Sequence, residues 1–143
     1  MALIMGEGRL SGARLQVPAI PSSLRLARLT ASSLAADLDW SLDDIEDLRI
    51  AVDELTAALI DGAGSSTLEL EFVQDGHGLL VSGGCECDAP LADLDPLALE
   101  LLDLTTDRFS VDAEGGRRRF QIEKRPTLPG PAAERPPPEP DDG

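Results

Sequence analysis

The stretch SLDDIEDLRIAVDELTAALID, residues 41–61, predicts a long amphipathic α-helix. Its large apolar residues recur at steps of three and four, the spacing that keeps side chains on one face of a helix. Ser41 stands before the pattern as a predicted N-cap, and Gly62 follows it as a stop signal. The apolar face consists of Ile45, Leu48, Val52, Leu55 and Leu59.

A second row of the same helix places a carboxylate among small side chains. It contains Asp47, Ala51, Glu54 and Ala58, again at helical spacing. Because alanines lie one turn before and one turn after it, the Glu54 carboxylate is expected to have open space around it. On residue type alone Glu54 is one solvated helix acid among many.

The string LRIAVDELTAALID, with VPAIPSSLRLARLTASSLAADLDWSLDDIEDL before it, resembles the first half of an RsbW-like anti-sigma factor. Members of that family are small serine kinases with the GHKL ATPase (Bergerat) fold, which histidine-kinase catalytic domains and gyrase share. The resemblance covers residues 14–124. It implies a regulator of transcription that binds a sigma factor or a STAS-type anti-anti-sigma protein in partner switching, and a chain that can form a homodimer.

In that family the long helix carries Glu-x-x-x-Asn, in which the Glu orients a water or hydroxyl and the Asn holds Mg²⁺. Glu54 matches the Glu, but Ala58 stands at the Asn position. A methyl group has no oxygen to offer a hard cation. Asp61 comes nearly one turn later and is expected to face the end of the helix.

The family's other two nucleotide-binding elements are also altered. The D-x-G-x-G turn that reads adenine should follow a strand at residues 79–82, where Gly83 and Gly84 begin a predicted loop over residues 83–90 without the Asp. The Gly-rich lid should precede the third helix, yet APLADLDPLALELL contains no Gly with which backbone amides could wrap phosphates.

These departures predict a degenerate nucleotide site that retains Glu54, Ala58, Gly83 and Gly84 as remnants, with no metal ligands and no firmly expected cofactor. The chain is then a binding protein and not a kinase. The alternative is an active Mg-ATP-dependent serine/threonine kinase in which Glu54 is catalytic. A third possibility is a dimerisation subunit without a sigma-related partner.

Other reactive side chains form weaker patterns. Cys85 and Cys87 are separated by one residue, whereas zinc fingers use two to four, and with His77 and Asp88 they do not make an evident ligand set. A nucleophilic cysteine would need a histidine base, and His77 sits in a predicted hairpin turn. The basic cluster at residues 117–119 either balances neighbouring acids or docks a partner.

The whole chain is strongly acidic, with 27 acids against 12 bases and a formal charge of −15. This charge argues against binding to nucleic acid or to an anionic membrane surface. No run approaches the ~18 apolar residues that a membrane span needs, and the opening MALIMGEGRL is not a signal peptide. A cytoplasmic protein is predicted.

The periodicity of the remaining segments predicts the order β, α, α, β, β, α, β, β. The fold class is therefore α+β, a two-layer sandwich of a mixed or antiparallel sheet with about three helices on one face. The domain is predicted over residues 9–124, with an edge strand at 9–17, after a flexible segment at 1–8. Seven of the 11 prolines lie in residues 125–143, which predicts a disordered tail.

Two further helices are predicted from the leucine pattern. The first spans residues 23–38, capped by Ser22 or Ser23, and the second spans residues 96–107, begun by Asp95 with Pro96 at its first position. The apolar face predicted for the first consists of Leu24, Leu26, Ala27, Leu29, Leu34 and Leu38. The face predicted for the second consists of Leu97, Leu99, Leu101, Leu102 and Leu104.

Overall fold

Alternating apolar residues pair into a six-stranded antiparallel sheet in the computed structural model, which describes residues 2–6 and 9–127. The strand order across the sheet is β1-β2-β3-β4-β6-β5. The predicted α+β sandwich is confirmed, and the sheet is antiparallel throughout. The strands are β1 Ala2–Gly6, β2 Arg9–Pro18, β3 Thr67–Asp75, β4 Gly78–Glu86, β5 Arg108–Glu114 and β6 Arg117–Lys124.

Three helices in the described residues cover one face of this sheet and share a single aliphatic core with it. A short 3-10 turn, Pro21–Ser23, leads into the first helix. None of the helices in the part of the chain that the structure describes could cross a membrane, being too short or too polar. The helices are α1 Leu24–Asp37, α2 Leu42–Ile60 and α3 Pro96–Thr105.

Helix α2 is the predicted central helix. The Ser41 side chain accepts a hydrogen bond of 3.1 Å from the Asp44 backbone N–H, which satisfies one of the free amides of the first turn. Its apolar face is fully buried except for Ile45, which is half-buried. The helix ends where Gly62 adopts a positive φ of 72°.

Strand β4 is longer than the sequence predicted, so the expected loop over residues 83–90 is wrong for its first four residues. Gly83 pairs with Leu70 and Phe120, in the middle of the sheet. A Cβ atom at Gly83 would collide with the Phe120 ring, and one at Gly84 would collide with a neighbouring guanidinium. The two glycines form no turn here and instead make room for bulky side chains on the adjacent strand.

The first residues also differ from the flexible segment expected over residues 1–8, because Ala2–Gly6 pairs antiparallel with β2. Strand β2 is therefore flanked on both sides and is not the edge strand expected at residues 9–17. A strand edge with free backbone N–H and C=O groups can pair with another strand, and Ala2–Gly6 pairs with β2 in this way. The short apolar run in residues 2–5 is too brief for its periodicity to identify a strand.

The apolar faces predicted for α1 and α3 include leucines that are exposed in the structure. The buried side of α3 is formed by Ala98, Leu102 and Thr105, which follow the i, i+4, i+7 spacing of one helical face. Leu97 and Leu104 are exposed instead, and α3 stops at Thr105. The predicted face contained residues two apart, which a helix cannot bury together. Leu26 and Leu29 of α1 are exposed for the same reason.

Of the caps predicted for α1 and α3, the one at Asp95 is confirmed and the one at Ser23 is wrong. The Asp95 side chain accepts a hydrogen bond of 2.8 Å from the Leu97 backbone N–H, as predicted. Ser23 makes no side-chain cap, since its hydroxyl donates to the Pro18 carbonyl at 2.7 Å and secures the chain as it leaves β2.

Thr127, three residues beyond the end of β6, is fixed to the first turn of α2. The Thr127 backbone N–H and hydroxyl donate to the two Asp44 carboxylate oxygens at 2.8 and 3.0 Å. The buried Lys124 ammonium lies 3.8 Å from Asp44 and 3.7 Å from Asp47. These contacts bring residues 125–127 into the folded unit, whereas the rest of the predicted tail, 128–143, lies outside the described residues.

Replacing Gly83 tests its role in the sheet. Gly83→Val is expected to destabilise the protein by about 1–3 kcal/mol, because the new side chain overlaps the Phe120 ring. Urea unfolding followed by far-UV circular dichroism measures the change. The control is Ser82→Val, on the opposite face of the same strand, which is expected to change stability by less than ~0.5 kcal/mol. Equal stabilities of the two variants would contradict this role.

Candidate functional site

The second half of α2 lines a cavity of about 660 Å³ between the start of α1 and the start of α3. Glu54 and Ala58 lie in its wall, which confirms the open space expected beside the Glu54 carboxylate. Most of the wall is apolar. Its members include Ile20, Pro21, Leu24, Ala57, Ile60, Ala63, Leu94 and Ala98.

The polar part of this cavity is acidic. Glu54, Asp61, Asp93 and Asp95 line it, and no Lys, Arg or His is found among its described lining residues. Asp95 caps α3, whereas the other three carboxylates form no ion pair or hydrogen bond with another described side chain. The charged residues that line the cavity are therefore all acidic.

This lining does not fit the magnesium-bound triphosphate that the family resemblance implies. A divalent ion of that kind is held by several oxygen ligands, and the Ala58 methyl group stands one turn beyond the Glu54 carboxylate. Triphosphate sites combine backbone amides with cationic side chains. Here the segment before α3 contributes Asp93 and Asp95, which would repel phosphate oxygens.

The four residues predicted as remnants of a nucleotide site do not meet at one place. Glu54 and Ala58 line the cavity beside α2. Gly83 and Gly84 line another, of about 820 Å³, along the polar residues of the sheet. Asp61 is exposed at the end of α2, as expected, and its backbone carbonyl rather than its carboxylate is engaged.

A buried arginine forms the base of the region between α2 and the segment leading to α3. Arg118 is 2% exposed, and one of its terminal nitrogens donates to the Leu59 and Asp61 carbonyls at 2.8 and 2.6 Å. Its other terminal nitrogen donates to the Pro90 carbonyl at 3.2 Å. The cation thus satisfies carbonyls at the negative end of the helix dipole and holds the next loop against them.

Sequence reasoning grouped Arg118 with its neighbours and missed its burial. Residues 117 and 119 point to the other face of β6, where Arg117 pairs with Glu86 at 2.8 Å and Arg119 with Asp112 at 3.2 Å. Strand alternation holds the signal, since residues 118, 120, 122 and 124 share one face and Phe120 and Ile122 are typical core residues.

The cysteine and histidine side chains are far apart. His77 lies in the turn before β4, where its carbonyl accepts a hydrogen bond from the Trp40 indole at 2.7 Å. Cys85 lies eight residues later along extended chain, about 26 Å away, and its sulfur is 3.1 Å from the Ser66 hydroxyl. Within residues 2–6 and 9–127 no three His, Cys, Asp or Glu side chains are placed to hold a metal ion.

Comparison with known proteins yields a likeness of fold. No family model matches the sequence, and no curated protein matches it. The crystal structure of the RsbU and RsbW domains of Rv1364c from Mycobacterium tuberculosis superposes with a TM-score of 0.62 at 12% identity. The match covers 80% of this chain and 32% of the other, so this chain spans about a third of its length. The protein thus has an α+β two-layer fold similar to that structure.

Removal of the buried cation tests how the cavity region is held. Arg118→Met is expected to destabilise the protein by about 3 kcal/mol, because the Leu59 and Asp61 carbonyls lose a charged donor. Urea unfolding gives the free energy, and limited proteolysis reports on the loop at residues 87–95. Arg119→Met, an exposed position, is the control and is expected to stay within ~0.5 kcal/mol of the wild type. An unchanged cleavage rate in Arg118→Met would exclude the loop-holding role.

Proposed function

We propose that this chain is an RsbW-like regulatory protein that acts by binding other proteins, in the manner of an anti-sigma factor, without using a nucleotide. The observation that carries the proposal is the acidic cavity beside Glu54, which has Ala58 in its wall and no cationic side chain among its described lining residues. The sequence resemblance over residues 14–124 and the likeness of fold support the same family.

The physical reasoning concerns what a kinase requires. Phosphoryl transfer depends on positioning the phosphates and stabilising their charge with Mg²⁺ and cationic or amide donors. Carboxylates at Asp93 and Asp95 repel phosphate oxygens, and Ala58 offers no oxygen ligand to Mg²⁺. The proposed activity that remains is recognition of a protein surface. Its proposed partners are a sigma factor, a STAS-type anti-anti-sigma protein, or both, with a homodimer as the binding form.

Binding to whole partner proteins tests this proposal. The purified chain is titrated with each sigma factor and each STAS-type protein encoded in its source genome, and complexes are detected by size-exclusion chromatography with light scattering. At least one complex is expected, with the same affinity in the presence and absence of ADP and Mg²⁺. Failure of every candidate to bind would reject the proposal.

The second candidate function is the divergent serine/threonine kinase, and one observation favours it. The Glu54 carboxylate lines a cavity and has no partner among the described residues, so it is free to act on a ligand. In that case a nucleotide at 100 times its dissociation constant would stabilise the fold by about 2.7 kcal/mol.

Thermal unfolding with ADP or ATP and Mg²⁺ separates the two candidates. We expect a change below about 1 °C, whereas a bound nucleotide would raise the melting temperature by several degrees. Phosphate transfer to a STAS-type protein, followed with labelled ATP, is expected to be absent. Activity that disappears in Glu54→Ala and persists in the control Glu100→Ala would establish the kinase instead.

A further inference from the structure

The cavity beside α2 combines an apolar wall with an acidic border, and both parts are accessible. Ile20 in its wall is 41% exposed, and Leu97, which precedes the lining residue Ala98 on the first turn of α3, is 63% exposed. Leu24 and Leu94 are half-buried and continue the apolar wall inward. Large apolar side chains that stay exposed next to a concave surface are typical of a protein interaction site.

The charges around this apolar wall select the kind of occupant. The carboxylates of Glu54, Asp61 and Asp93 form no ion pair with a described side chain, and Asp95 adds a fourth carboxylate. An anionic ligand is repelled from such a surface, while Lys and Arg side chains are attracted to it. Electrostatic complementarity of this kind sets partner choice and speeds association.

Two occupants from this chain itself are disfavoured by the same charges. Residues 128–143 contain four acids and one arginine, so this segment is acidic like the cavity. A second copy of the chain offers few free cations, since six of its arginines are engaged in ion pairs within the described residues. A partner of opposite charge is the better complement.

We propose that this apolar, acid-bordered cavity, which we call the α2–α3 groove, is a docking site for a basic amphipathic segment of a partner protein. The segment inserts apolar side chains against Ile20, Leu24 and Leu94 and places Lys or Arg beside Glu54 and Asp93. A helix with apolar residues at i, i+3, i+4 and i+7 and basic residues alongside meets this requirement. The inference rests on the proposed function, because it names the surface through which protein binding occurs.

Synthetic peptides test the groove without any sigma factor. The probe is a fluorescein-labelled helical peptide of about 18 residues, with Leu along one face and Lys elsewhere. A second peptide has the same charge but Ser in place of Leu. Binding is measured by anisotropy titration at ~0.15 M salt, which screens distant charges. The wild type is compared with Glu54→Lys/Asp93→Lys and with the control Asp37→Lys/Asp43→Lys, which makes the same charge change where α1 ends and α2 begins.

The groove variant is expected to bind the Leu peptide at least about tenfold more weakly than the wild type, and the control variant within about twofold. The Ser peptide is expected to bind at least about tenfold more weakly to the wild type, because it lacks the apolar anchors. Equal binding by the two variants, equal binding of the two peptides, or no binding of the Leu peptide would each overturn the proposal.

A folding control accompanies these measurements. Both double variants are compared with the wild type by thermal unfolding. If the groove variant fails to fold, Glu54→Gln/Asp93→Asn replaces it, and this variant is expected to bind the Leu peptide at least about threefold more weakly than the wild type. Failure of the peptide test together with a complex between the chain and a sigma factor or a STAS-type protein rejects the groove alone. Absence of any such complex rejects the proposed function, whatever the peptide does.

Discussion

The buried cation of Arg118 is the contact on which the arrangement around the cavity depends. It comes from the last strand of the sheet, yet it bonds to carbonyls at the end of the central helix and in the loop beyond β4. One side chain therefore joins three segments that are far apart in sequence. Carbonyls at a helix C-terminus carry partial negative charge, so a guanidinium placed there needs no carboxylate partner to offset part of its desolvation.

This arrangement accounts for how the loop that lines the cavity is held in place. The Arg118 side chain holds the loop between β4 and α3. The residues of this loop that line the cavity are acidic or apolar. Helix α2 retains a free carboxylate at Glu54, next to Ala58. The shape of the cavity belongs to the fold, whereas its chemistry belongs to these few side chains.

The sequence predicts the long helix, the caps at Ser41 and Asp95, the hairpin before β4 and the α+β class, because each follows from local periodicity or turn chemistry. It also identifies Glu54 correctly as a carboxylate with space around it. Two of its failures occur where the neighbour lies far along the chain. Gly83 makes room for the Phe120 ring, and Arg118 bonds to the end of α2. Strand alternation indicates the face on which Arg118 lies, but local spacing identifies neither of these distant partners.

The fixing of Thr127 to Asp44 has a practical consequence for handling the protein. Asp44 lies ten residues before Glu54 on the same helix, which corresponds to about 15 Å along its axis. Thr127 therefore lies near the pole of the molecule opposite to the end of α2. A surface-coupling group attached at that pole would hold the protein from there and leave Ile20, in the wall of the cavity, turned towards the solution.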